Sequence, residues 1–106
     1  MTDEELVTQF HAMWDGFPGL ARLIDANHNV LAANPIACGK GFVEGAVCVK
    51  VGGPELHRKC KLKRFFESGE PVTDHVLDDR VRGWMPVEGR DDVCIHFAVM
   101  IPEEQP

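Results

Sequence analysis

The stretch from Asp92 to Ile101 constrains the fold more than any other part of the chain. Val93, Ile95, Phe97, Val99 and Ile101 alternate there with Cys94, His96, Ala98 and Met100. Period-two alternation marks a β-strand, because successive side chains point to opposite faces. Neither set is strongly polar, so the spacing predicts a central strand covered on both sides. A chain of 106 residues, 44% of them hydrophobic, suits one domain with one core.

The rest of the chain supplies partners for such a strand. Residues 3–15 read as a helix. Thr2 and Glu5 have the form of a capping box, in which each side chain satisfies an orphan backbone donor of the other. Leu6, Val7, Phe10, Met13 and Trp14 share one face of this helix, to be covered either by its own domain or by a second subunit. After a Gly/Pro turn at 15–19, strands are expected at 20–25 and 30–33, joined by Asp25-Ala26-Asn27-His28-Asn29. Five glycines between residues 36 and 54 argue for short helical turns there. Pro54 opens a helix expected over 54–68, and Gly69-Pro71 ends it. Strands follow at 71–78, 81–88 and 92–101, and the polar tail from Pro102 is expected to fray. The order is that of an α+β domain with a predominantly antiparallel sheet.

Charge narrows the function. Seventeen acidic residues face 11 basic ones, a net charge of −6, which disfavours nucleic acid as a partner. Five of the basic residues fall between Arg58 and Arg64, so one basic patch sits in an otherwise acidic chain. The acidic opening Met-Thr-Asp-Glu-Glu is unlike a targeting segment, and no apolar run reaches membrane-spanning length. A cytoplasmic location with reduced thiols is the resulting expectation. Cys38, Cys48, Cys60 and Cys94 then read as core residues, ligands or redox thiols, and no Cys-x-x-Cys pair occurs. Ser68 is the only serine and sits at a helix end, and no Walker, Rossmann or His-Glu-x-x-His motif is present. A non-catalytic role is expected.

Two segments carry a family resemblance. Cys60-Lys61-Leu62, continuing through Ser68-Gly69-Glu70-Pro71, resembles the Cys-Pro-Leu, five residues, Thr/Ser-Gly-x-Pro run of PAS sensor domains. Ala21–Asp25 followed by Val30–Pro35 resembles the opening hairpin of the same family. The resemblance covers roughly residues 17–101, with residues 1–16 as a leading amphipathic helix and 102–106 as the tail. It implies a five-stranded antiparallel sheet of order 2-1-5-4-3 with helices on one face. It also implies a leading helix that packs on the outer sheet face and mediates dimers. The segment between Asn34-Pro35 and Cys48 is shorter than is usual in the family, which would reduce the wall of any ligand cavity on that side.

Three kinds of site follow. Cys48 and Cys60 match positions where many relatives carry cysteines, and His57 stands where the first Cys of a pair would be. Together they form a candidate zinc-type or thiol site, with Cys94, Cys38 or water as a fourth ligand. Read structurally, the same residues are two small buried cysteines and an exposed histidine. Haem through His57 or His96 is a weaker alternative, and no flavin motif surrounds Cys38. A small molecule could instead sit against the sheet, lined by Leu23, Trp84, Ile95, Phe97 and Val99 with His96 or Arg82 as anchors, although plain core packing explains each of these residues singly. The basic face Arg58–Arg64 is a solvated helix face or a docking site for an acidic signalling partner. The expected role is sensing of a ligand, metal or redox state, coupled to self- or partner association. The alternatives are a structural dimerisation module with a filled core and a zinc-type regulator.

Overall fold

The computed structural model describes residues 1–102. The tail expected to fray lies, from residue 103 onward, outside them. Helix α1 (Asp3–Trp14) is followed by strands β1 (Leu20–Asp25) and β2 (Val30–Ala33), helix α2 (Pro35–Gly39) and two 3-10 turns (Cys48–Lys50 and Pro54–His57). Helix α3 (Leu62–Ser68) then leads into β3 (Val72–Asp74), β4 (Arg80–Val87) and β5 (Arg90–Met100). The five strands form one antiparallel sheet of order β2-β1-β5-β4-β3, as expected.

The long alternating strand is β5, and it is central. Both of its faces are covered. On one side Ala21, Leu23, Val93 and Ile95 meet Leu6 and Phe10 of α1. On the other, Ile24, Trp84 and Cys94 meet Ala37, Phe42, Cys48, Leu62 and Phe65 from the helical segments. The capping box of α1 forms as the sequence predicts, with Glu5 N–H donating to Thr2 Oγ1 at 3.1 Å. Phe97 lies flat against Gly83, its partner across the β4–β5 ladder, where a Cβ would overlap the ring.

Asn34 joins the hairpin to the first helix behind it. Its Oδ1 accepts from Ala21 N–H at 3.1 Å and from Ala37 N–H at 3.0 Å, capping α2. Its Nδ2 donates to the Gly19 carbonyl at 2.9 Å. Asn34 is therefore a buried junction, with every polar atom of its amide engaged.

Two elements depart from expectation. The helix expected over 54–68 is broken: a 3-10 turn ends at His57, and α3 begins only at Leu62. Between them Lys59 holds a left-handed conformation, φ 53°. Arg82 takes the carbonyls that a continuous helix would use, donating to Arg58 O at 2.8 Å and to Leu56 O at 3.4 Å. The strand expected over 71–78 shortens to Val72–Asp74. It is an edge strand, and beyond Asp74 a turn closes with His75 Nε2 donating to Asp78 O. Gly69 caps α3 at φ 69°, as its position predicts.

Candidate functional site

Strand register lays the inward side chains out in rows. Arg22 of β1 pairs with His96 of β5, which pairs with Trp84 of β4. The next row is Leu20, Ala98 and Arg82, and Arg82 pairs in turn with Asp74 of β3. From these rows Leu20, Arg22, Arg82, His96 and Ala98 form the floor of a cavity of about 510 Å³, roofed by α2, Phe42 and the 3-10 turn that ends at His57. Its apolar walls include Leu20, Phe42, Val51 and Leu56. Apolar walls with a few convergent polar groups are the usual make-up of a small-molecule site. A second hollow of about 460 Å³, between α3 and the β4–β5 turn, is more open and has Phe65, Phe66 and Arg90 on its lining.

The polar groups of the cavity differ in how they are satisfied. Arg82 is engaged at all three of its nitrogens. Its Nε and Nη2 each donate to Asp74 at 2.9 Å, and its remaining bonds tie the 3-10 turn to the sheet. Burial pushes the Asp74 carboxyl up, but the hydrogen bonds and charge of Arg82, with Lys61, hold it below its ordinary value. Arg80 is held by Asp79 through two bonds of 2.9 and 3.0 Å.

Arg22 is not satisfied in this way. It is 3% exposed, yet it forms no ion pair among the described residues. Its guanidinium lies 4.4 Å from the centre of the Phe42 ring, and Nη1 donates weakly to Cys48 Sγ at 3.6 Å. Its Nε–H has no partner among the described residues. Burial pulls the group below its ordinary value, but an arginine keeps its proton in any folded protein. Nor do the nearby thiols supply a counter-charge at neutral pH. Burial pushes Cys48 up, outweighing the pull of Arg22, and pushes Cys94 up to about 12.

His96 is 5% exposed and donates from Nδ1 to the Gly83 carbonyl at 2.8 Å. That bond fixes the tautomer and leaves Nε2 as an acceptor without a partner among the described residues. Burial, and then the charge of Arg22, push this imidazole well below its ordinary value, so it is neutral at physiological pH. Trp84 stacks on it with ring centres 4.6 Å apart, and the Trp84 Nε1–H is a second buried donor without a partner among the described residues.

The residues read from the sequence divide sharply on this map. Arg82 and His96 line the cavity. Trp84 shares their face but belongs to the packed core beside them. Leu23, Ile95 and Phe97 need correction. They occupy the opposite face, Leu23 and Ile95 beneath α1 and Phe97 against Trp14 and Phe17. Helix α1 covers the face of Val93, Ile95 and Phe97, and the cavity falls to the face of His96 and Ala98. Arg22 was not singled out. Its signal was an arginine in the middle of an apolar strand, opposite no identifiable carboxylate.

The proposed metal set does not assemble. Among the described residues no group of three or more His, Cys, Asp or Glu is placed to hold a metal ion. Cys48 turns to Arg22, while His57 Nε2 donates to the Val51 carbonyl, so that nitrogen is occupied and is no axial ligand for haem either. His57 and Cys60 are joined by a turn and not by a helix, which removes the spacing argument for pairing them. The basic run is likewise dispersed. Arg58 donates to Val76 O, Lys61 pairs with Asp74 at 3.5 Å and Lys63 faces Glu67. Among the described residues no helix is long and apolar enough to cross a membrane. Comparison with protein-family models and with curated proteins gives no match.

Proposed function

We propose that the chain is a non-catalytic, PAS-like binding domain that takes a small molecule between the sheet and the segment from α2 to His57, and that occupancy alters its association with a second copy or a signalling partner. The observation that carries this reading is the cavity of about 510 Å³, with an apolar wall and two incompletely satisfied polar side chains, Arg22 and His96, on its floor. The strand order 2-1-5-4-3, with a leading helix on one sheet face and the remaining helices on the other, agrees with the family resemblance of the two sequence segments. Coupling would be a population shift, since the 3-10 turn that roofs the cavity is tied to β4 through hydrogen bonds from Arg82. Native mass spectrometry of freshly purified, reduced protein tests this. The expected result is an added mass of one small organic molecule per chain, lost on denaturation. A bare chain that also shows no chemical-shift change with any member of a fragment library would overturn it.

A second reading, a dimerisation module, has one observation in its favour. Met13 is 69% exposed beside a shallow apolar hollow formed with Trp14, Phe17, Met85 and Ile95. Phe10 is buried within its own domain, so Met13→Glu and not a change at Phe10 is the probe of this surface. A dimer in sedimentation that Met13→Glu dissociates would favour it.

A further inference from the structure

Charge around the cavity is one-sided. Arg22, Lys40, Arg80 and Arg82 line it, and among the described residues no aspartate or glutamate does, in a chain whose net charge is −6. Two of the four cations are neutralised from behind, Arg80 by Asp79 and Arg82 by Asp74. Lys40 is exposed and hydrated. Among the described residues Arg22 alone of the four is both buried and without a carboxylate, and its Nε–H is unpaired there. A buried charge is ordinarily paired, because desolvation of an unpaired ion is unfavourable. Neither a phenyl face nor a neutral thiol supplies a negative charge.

We infer that the ligand is a small organic carboxylate, its carboxylate held by Arg22 and its apolar body against Phe42, Val51 and Leu56. This rests on the reading of the cavity as a binding site. A guanidinium presents a planar fork that suits a carboxylate, and Nε with one Nη is the pair of donors left to make it. The apolar walls favour an organic anion over a bare inorganic one, because hydrated phosphate gains nothing from Phe42 and Leu56. The neutral His96, with Nε2 as acceptor in the same cross-strand row, suits a ligand that also carries a hydroxyl or amide donor.

The test titrates the full chain at pH 7.5 with sodium benzoate, hexanoate and mandelate, with the matching primary amides, and with inorganic phosphate. Binding is read by calorimetry and by the Arg22 Nε–Hε resonance. At least one carboxylate is expected to bind and move that resonance, its amide to bind about 10- to 100-fold more weakly, and phosphate not to bind. Arg22→Met keeps the apolar stem and is expected to lose the preference for carboxylate over amide while melting higher without ligand. If Arg22→Met does not fold, the Arg22 resonance of the unaltered protein decides the matter alone. Equal binding of acids and amides, or binding that leaves the resonance unmoved, overturns the inference and leaves the binding-domain reading standing. Phosphate binding in preference to every carboxylate overturns the organic part. No binding of acids or amides counts against both.

Discussion

His96 shows how a single buried side chain ties stability to pH. In the unfolded chain its imidazole takes up a proton near the ordinary value of 6.5, whereas in the fold burial and Arg22 hold it well below that. Above pH 6.5 both states are neutral there and stability is unaffected. Below it the unfolded chain binds more protons, so stability falls by up to about 1.4 kcal/mol per pH unit until the folded form can protonate. His28 is lowered as well, by burial and then by His57, and acts in the same direction. Asp74, held below its ordinary value, adds its own loss only at lower pH. His96→Gln can still donate to the Gly83 carbonyl, and it should flatten the slope between pH 7.5 and 5. Urea midpoints of both proteins across that range measure it, and equal slopes would mean that His96 is open to protons in the fold. Residues of this kind were only partly legible in the sequence. His96 and Arg82 stand out as polar groups on apolar strands, but Arg22 gains its meaning only from what fails to sit beside it. Alternation along β5 separated the two faces correctly and could not say which one α1 would cover. The expected lining joined Leu23, Ile95 and Phe97 to His96, although alternation points them to the opposite face, which is the one α1 covers.

Among the elements, the broken helix after Pro54 is where local pattern and tertiary contact disagree most. Residues 54–68 have the composition of one helix, and isolated helical propensity would join them. Arg82, reaching from β4 to the carbonyls of Leu56 and Arg58, stabilises a break instead, and Lys59 turns left-handed to permit it. No local pattern could announce this, because the contact spans more than 20 positions in sequence. A substitution at Lys59 separates the two arrangements by sign. Glycine in the left-handed region relieves strain, so Lys59→Gly should stabilise the protein by about 0.5–1 kcal/mol. In a continuous helix the same change would cost about 1 kcal/mol. Chemical denaturation of Lys59→Gly beside Lys59→Ala reads the sign directly. The strands, by contrast, were legible nearly to their ends, since β1, β2, β4 and β5 all follow alternation and turn residues. The exception is β3, cut short at the sheet edge, where only one neighbour holds it.

For the whole molecule, one sheet with both faces covered makes the leading helix part of the domain. The sequence suggests a boundary after residue 16. Across that boundary run Leu6 and Phe10, buried against β1, β2 and β5, a long hydrogen bond from Asn34 Nδ2 to the Trp14 carbonyl, and an ion pair of 2.8 Å between Arg90 and Asp3. The exposed ion pair contributes little. Burial of the two apolar side chains contributes about 1.5–3 kcal/mol each. Their sum is a large share of the 5–15 kcal/mol that typically separates a folded domain from its unfolded chain. Without α1, the faces of Ala21, Leu23, Val93 and Ile95 are open to water, and together they form an apolar patch on a flat sheet. A chain beginning at residue 17 should therefore be unfolded or associated at 25 °C, while Asp3→Asn in the full chain should melt within a degree or two of the parent. Circular dichroism with size-exclusion chromatography distinguishes these results. A monomeric, cooperatively melting 17–106 fragment would show that the cavity-side core holds the sheet unaided. In that case α1 would be free to leave the sheet when a partner or second copy competes for it, whereas an unfolded fragment requires any change in association to occur with α1 still in place.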